Sequence, residues 1–360
     1  MWVTEMDRPL YNTYPELKEN LPFIPLAELP TPVTPAIGLA NELGLDELWI
    51  KCDDVSAPDY GGNKIRKLEF LLAAALEQKC TTVITYGGMG SNHAIATAIN
   101  CRRQGLECIA ILTPEPVTDT VRRTLQYHQL LGTRLELARY GAELLGTADR
   151  LKQEIGVDLC YEIPFGGSSW VGATGFVNAA LELKEQIDAG SLPCPDVIYL
   201  ACGTAGSVSG LALGLALAQL DIAIEAVRVT PESLDLQKLF ESLFTETNTE
   251  LGERAKGIPV CDAALASVRL RNDQLGDGYA MPTDAAREAA RLMAEHADMG
   301  ASLTYTAKAM AGLMSDAGCG RLAGKRALFW NTYNSRPYPG FDGELNVAAL
   351  LQDFQPFFRR

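Results

Sequence analysis

The stretch Gly61-Gly62-Asn63-Lys64-Ile65-Arg66-Lys67-Leu68-Glu69-Phe70 reads as a tight turn that enters a helix. Its two glycines let the backbone turn without steric cost. Asn63 is of the type that caps a helix N-terminus. Leu68, Leu71, Leu72 and Ala75 recur at helical spacing and give that helix an apolar face. Lys64 and Lys67 stand three apart and share one side of the first turn. Lysine suits the last turn of a helix, where the dipole is negative, so two in the first turn are out of place. A lysine at a positive helix end, beside a second lysine, gives up its proton more readily. The neutral amine is a nucleophile that forms a Schiff base with an aldehyde. The plain alternative is two solvated surface lysines that follow a turn.

Composition narrows the setting. A chain of 360 residues implies about two domains. Apolar and charged shares of 47% and 21% describe a soluble globular protein. A net charge of -14 argues against nucleic acid and against an anionic membrane as partners. It leaves room for a small anionic substrate, which meets only local charge. The nine cysteines are scattered, with no CxxC pair, and point to a reducing compartment. His93, His128 and His296 are the only histidines, and none are spaced as metal ligands. His128 and His296 read as surface residues or as helix residues with satisfied partners. Residues 1–9 carry no signal-peptide pattern, and no apolar run reaches spanning length. The expected location is the cytoplasm.

The chain alternates strands and helices. Residues 47–52 read as a strand, followed by a polar loop into the lysine turn. Strands are expected at 81–86, 107–112, 134–137 and 159–162. Helices between them should run to about residue 103, to about residue 131, and over 148–155. A second block follows a glycine loop at 164–169. Helices are expected over 171–187, 208–220, 234–244, 284–296 and 306–314, and strands over 196–201, 223–229 and 326–331. Residues 245–257 read as an exposed polar linker. The alternation implies an α/β protein with open, mostly parallel sheets flanked by helices.

Two strand–glycine loop–helix units stand out. Ligands of open parallel sheets bind beyond the carboxyl ends of the strands, where loop N–H groups and a helix N-terminus favour anions. Gly203-Thr204-Ala205-Gly206-Ser207 would suit a phosphate, with Thr204 and Ser207 as hydroxyl donors. Gly87-Gly88-Met89-Gly90-Ser91-Asn92 would suit a carboxylate, with Ser91 and Asn92 as donors. Neither has the spacing of a dinucleotide fingerprint or a Walker loop. Taken singly, each is as readily a structural turn. A phosphate, a carboxylate and an aldehyde that meets a lysine are together offered by pyridoxal 5'-phosphate loaded with an amino acid.

At these residues the chain resembles a known family. The runs GGNKIRKLEFLLAAAL, VITYGGMGSNHAIATA, IPFGGSSWVGATGFVNAALEL, GYAMPTDAAREAARLMAE and YTAKAMAGLM are similar to the D-cysteine desulfhydrase and 1-aminocyclopropane-1-carboxylate (ACC) deaminase family. The resemblance implies a two-domain tryptophan synthase β-like fold, pyridoxal-phosphate fold type II. It places a large cofactor-binding domain at 1–65 and 169–360, with a small domain at 66–168 inserted in it. It also implies a homodimer. Lys64 matches the lysine that holds the cofactor as a Schiff base, and Asn63 a neighbour that contacts it. Lys67, Thr204, Ala205, Gly206 and Ser207 match phosphate contacts. Ser91, Asn92 and His93 match the run that binds the substrate carboxylate. Tyr279 and Tyr305 match active-site tyrosines.

The resemblance also suggests the reaction. Thr306 stands where the deaminases carry glutamate and the desulfhydrases threonine. A hydroxyl gives the pyridine nitrogen no counter-charge, so the ring is a weak electron sink. That favours α,β-elimination of a good leaving group from a small β-substituted amino acid, D-cysteine-like or cysteate-like, to a keto acid and ammonia. In that scheme Lys64 or Ser91 takes the α-proton. The alternatives are β-replacement, ring opening of the ACC type, and a non-catalytic binder on the same fold. Three departures bear on the substrate. Gly90 replaces a common glutamine. Ser302-Leu303-Thr304-Tyr305 replaces a DPVY run. Asn331-Thr332-Tyr333-Asn334-Ser335-Arg336-Pro337 replaces an HTGG-type run. Arg336 adds a cation for an acidic substrate tail, or is a plain surface arginine.

Overall fold

A computed structural model describes residues 8–340, 352 and 354–358. The expectation for residues 1–9 therefore lies largely outside the described residues. Two short helices, α1 (Pro9–Thr13) and α2 (Leu17–Asn20), lead to β1 (Val33–Pro35), α3 (Ile37–Leu43) and β2 (Glu47–Cys52). The lysine helix is α4 (Asn63–Glu77). Then come β3 (Thr82–Gly88), α5 (Asn92–Arg103), β4 (Glu107–Thr113), α6 (Asp119–Leu131), β5 (Arg134–Leu137), α7 (Ala142–Ile155) and β6 (Cys160–Ile163). The chain returns through α8 (Trp170–Asp188), β7 (Val197–Cys202), α9 (Gly206–Leu217), β8 (Ala223–Arg228), α10 (Leu236–Arg254) and β9 (Val268–Arg271). It ends with α11 (Asp284–Ala297), α12 (Thr306–Gly318) and β10 (Arg326–Asn331).

These strands form two sheets, each flanked by helices. One has the order β5-β4-β3-β6 and is parallel throughout. The other has the order β1-β2-β10-β7-β8-β9, parallel except where β1 meets β2. In the first sheet the chain moves from β3 outward to β5, then crosses back to place β6 on the other side of β3. In the second it moves from β7 to β9, then places β10 on the other side of β7. Each reversal opens a crevice beyond the strand ends, where open sheets take their ligands. The loops after β3, β6, β7 and β10 are the four that line those crevices.

Helix α8 carries α4 on one side and α9 on the other. A Cβ at Gly175 would lie 2.2 Å from the Arg66 carbonyl oxygen. A Cβ at Gly210 would lie 2.0 Å from the Ala173 carbonyl oxygen. Both contacts exist only because glycine stands there. The Ala- and Leu-rich α9 is buried along nearly its whole length, as the sequence suggests. Two expectations fail. Helix α10 runs on to Arg254, where an exposed linker was expected; Phe244, Thr247, Asn248 and Leu251 form its buried face. His128 is fully buried with neither ring nitrogen hydrogen-bonded, so it is neither a surface nor a satisfied residue. Burial lowers it to about 3.

One buried cluster ties α4 to its surroundings. The Arg66 guanidinium donates to both Asp53 carboxylate oxygens, to both Glu182 oxygens and to Thr31 Oγ1, at 2.7–3.0 Å. Lys51 Nζ donates to Glu182 Oε1 at 2.5 Å and to Gln186 Oε1 at 2.6 Å. Burial works to raise the Glu182 carboxyl, but Arg66 and Lys51 outweigh it and hold it at about 2. A carboxylate depressed in this way stabilises the fold above its ordinary value of 4.5, and that contribution fades as pH falls towards 2. Removing one member leaves the others charged and unpaired. Glu182→Gln should therefore lower stability by about 3–5 kcal/mol in urea unfolding at neutral pH. The difference from wild type should shrink as pH falls below 4.5; a constant difference would refute this account.

Candidate active site

The four crevice loops converge on the first turn of α4. Gly62, not Asn63, is the residue before that helix, and no side chain caps it. Asn63 is instead the first helical residue, and its Nδ2 donates to Ser207 Oγ at 3.0 Å. The expected cap thus becomes a link between the lysine turn and the phosphate-type loop. Lys67 Nζ donates to the Gly166 carbonyl at 3.0 Å. Ser168 and Thr204 join hydroxyls at 2.7 Å. A Cβ on Gly206 would lie 2.5 Å from Ser168 Oγ and 2.6 Å from Lys67 Nζ. A Cβ on Gly166 would lie 2.6 Å from Thr204 Oγ1 and 3.7 Å from Lys64 Nζ. Glycines thus hold open a cradle between two amines and two hydroxyls. Ala205, at the turn into α9, holds a φ of 60°, in the left-handed region that costs a non-glycine residue about 1 kcal/mol or more.

Neither lysine is a solvated surface residue. Burial lowers the Lys64 amine to about 8, against a smaller opposing pull from Cys202. Lys67 is 1% exposed and lies well below the ordinary lysine range, through burial first and Lys64 second. Burial, not the helix dipole, is thus the leading cause, and repulsion between the amines is felt at Lys67. His93 is buried, and among the described residues neither ring nitrogen has a partner. Burial, then Lys64 and Lys67, keep its imidazole neutral. Cys202, at the end of β7, was missed by sequence reasoning; burial pushes its thiol up to about 12.

The glycine loop between β3 and α5 leads from the strand into the helix. Ser91 is the N-cap of α5, and its Oγ accepts the Ala94 N–H at 3.2 Å. Tyr60 donates to Asn92 Oδ1 at 3.0 Å. Across the crevice the Tyr279 and Tyr305 hydroxyls bond to each other. Burial pushes Tyr305 to about 12 and raises Tyr279 well above the usual phenol range, so both are proton donors at neutral pH. The carboxylate that acts on both is Glu115. Thr306 is buried, and its Oγ1 accepts the Ser302 N–H at 2.9 Å, which leaves its own proton to donate. The segment after β10 backs the lysine turn: Asn334 Oδ1 accepts the Gly61 N–H at 2.7 Å. Arg336 lies on that segment. Its charge acts on Asp54, and its Nε is buried without a partner among the described residues.

Residues 24–332 match the model of the family described as pyridoxal-phosphate dependent enzyme. The chain belongs to that family. It is 35% identical over 309 residues to the D-cysteine desulfhydrase of Salmonella choleraesuis (strain SC-B67), covering 82% of this chain and 88% of that one. The D-cysteine desulfhydrase of Salmonella newport (strain SL254) is 34% identical over the same shares. A crystal structure of an ACC deaminase homologue superposes with a TM-score of 0.76 at 26% identity, over 91% of this chain and 95% of that one. The threonine deaminase isoform 2 of Solanum lycopersicum shares the fold, with a TM-score of 0.59 at 16% identity over 91% and 85% of the two chains. The protein is a pyridoxal-phosphate-dependent lyase of fold type II. Among the described residues no helix is long and apolar enough to cross a membrane.

The residues fit pyridoxal phosphate by their chemistry. A lysine amine that sheds its proton near neutrality suits the aldehyde. The Gly206 cradle, with Lys67, Ser168, Thr204 and Ser207 around it, suits a phosphate. His93, neutral and unpartnered, suits a flat aromatic neighbour. An amine at about 8 has a clear pH signature. The rate at which apoprotein captures added pyridoxal phosphate, trapped by borohydride, should rise from pH 6 and level off above about 8.5. A rise that continues to pH 10 would mean an ordinary, solvated lysine.

Proposed function

We propose that the enzyme removes a β-substituent from a small amino acid of D-cysteine or cysteate type and yields a keto acid and ammonia. The observation that carries this reading is the half-buried Lys64 amine, lowered to about 8 and set beside the Gly206 cradle. The names of the curated relatives support the D-cysteine-like substrate. Bound pyridoxal phosphate would supply the electron sink for the pair left at Cα. Lys64 would hold that group covalently, and its free amine would take the α-proton at Nζ. Asn63, Lys67, Thr204, Ala205, Gly206 and Ser207 would hold it in place. Ser91, Asn92 and His93 receive the substrate carboxylate. Ser91 Oγ already accepts a backbone N–H, so its hydroxyl serves as a donor to that carboxylate rather than as the base. The neutral Tyr279–Tyr305 pair delivers a proton to the departing substituent. Thr306, with its proton free to donate, would give the ring nitrogen no counter-charge, which suits elimination better than ring opening. Arg336 receives an acidic tail; its unpartnered Nε supports that role.

The same proposal covers organisation. A small domain at 66–168 is inserted in a cofactor-binding domain at 1–65 and 169–360. The fall of β3 to β6 within the first range supports it. A cytoplasmic location is supported by the nine free thiols. The homodimer rests on the family resemblance.

Purified protein should show an absorbance band from lysine-bound cofactor that is lost in Lys64→Ala. Wild type should release keto acid and ammonia from at least one of D-cysteine, L-cysteine, cysteate, diaminopropionate and serine, and less readily from ACC. Lys64→Ala should lower that rate by at least about a thousandfold. An intact band with no keto acid from any of these would sink the elimination.

A further inference from the structure

Glu115 lies in the loop between β4 and α6. Its carboxylate accepts the Gly90 N–H. A Cβ on Gly88 would lie 2.3 Å from its Oε2, and one on Gly90 2.7 Å from its Oε1. The acid is therefore seated inside the loop that leads into Ser91 and α5. The glutamine common at position 90 in the resembling family would occupy that space. Glycine there leaves room for a carboxylate from a different loop.

The surroundings of this carboxylate are unusual. It is partly buried, and burial raises it against the Gly90 N–H. No cation pairs with it among the described residues. Its charge acts on the hydroxyls of Tyr279 and Tyr305. A half-buried carboxylate with one hydrogen bond and no counter-ion is costly to keep for packing alone. It sits on the N–H of Gly90, the residue before Ser91, which caps α5 and is assigned with Asn92 and His93 to the substrate carboxylate.

We propose that Glu115 stands, in the free enzyme, where the substrate's α-carboxylate binds, and is displaced by it. This rests on the reading of the Gly87–His93 loop as the carboxylate socket. Two carboxylates set side by side on one short loop repel each other, so each amino acid must displace the internal acid from beside Ser91. Glu115 is then a specificity-determining residue. It raises the concentration needed for amino acids with a free carboxylate and favours those whose other groups are also held, such as a tail on Arg336.

The test uses cofactor-loaded wild type, Glu115→Gln and Glu115→Ala. Keto acid is measured with D-cysteine, and calorimetry records binding of D- and L-alanine, which have no leaving group. In both variants KM should fall about tenfold, the worth of one charge-assisted hydrogen bond no longer contested, with the change in KM exceeding that in kcat. Alanine should bind more tightly by a similar factor. A role as a mere tether of the 114–118 loop predicts equal or higher KM and equal or weaker alanine binding, including none; either result overturns the proposal. If wild type shows neither cofactor band nor keto acid, the lyase reading fails on its own, and the alanine titration alone decides for Glu115. Should Glu115→Ala fold poorly, Glu115→Asp, too short to reach Gly90, takes its place.

Discussion

Everything in the site depends on the anchoring of one arginine. Arg66 is sealed between Asp53 and Glu182, and Trp330 Nε1 donates to the same Asp53 at 2.8 Å. That joins α4 to the end of β2, to α8 and to β10. A second anchor lies one turn on, where Glu69 binds Arg8 and accepts the Leu26 and Ala27 N–H groups. Helical residues advance by about 100° each, so Arg66 and Lys64 point to nearly opposite sides of α4. The arginine grips the body of the protein, and the lysine is thereby aimed into the crevice. Buried ion pairs of this kind add little net stability over apolar packing, but they tolerate few alternative arrangements. Here that selectivity holds a reactive amine in register.

The contrast between neighbours in one turn is electrostatic. Arg66 has two buried carboxylates; Lys64 and Lys67 have none within hydrogen-bonding reach among the described residues. The first therefore stays charged, and the other two are driven towards neutrality. His93 and the two tyrosines are likewise neutral. The crevice is thus lined by groups that give up or take a proton at little cost, with an internal acid at its rim. A bound phosphate would restore the charge that burial removes.

Much of this was legible in the chain because it is local. Alternating buried strands and amphipathic helices betray themselves by period, and β2, β5 and β10 fall at the positions expected. Glycine loops after β3 and β7 are visible because a tight turn needs them. Misreadings arose where local character and tertiary fate part. Residues 245–254 look like a polar linker, yet every third or fourth one faces the core. Asn63 has the chemistry of a cap, but a partner on α9 claims its side chain. His128 looks like any helix histidine, and only packing seals it.

The sequence by itself determined the alternation of strands and helices, the turns that present backbone N–H groups, and two lysines in one helical turn. These follow from side-chain period and backbone sterics, which act over a few residues. The tertiary structure alone decided that strand crossovers bring four loops to one crevice. It also decided that Lys64 is desolvated and that Glu115 reaches Gly90, 25 residues away. Burial and pairing at a distance depend on where the whole chain goes, and no short stretch carries that information.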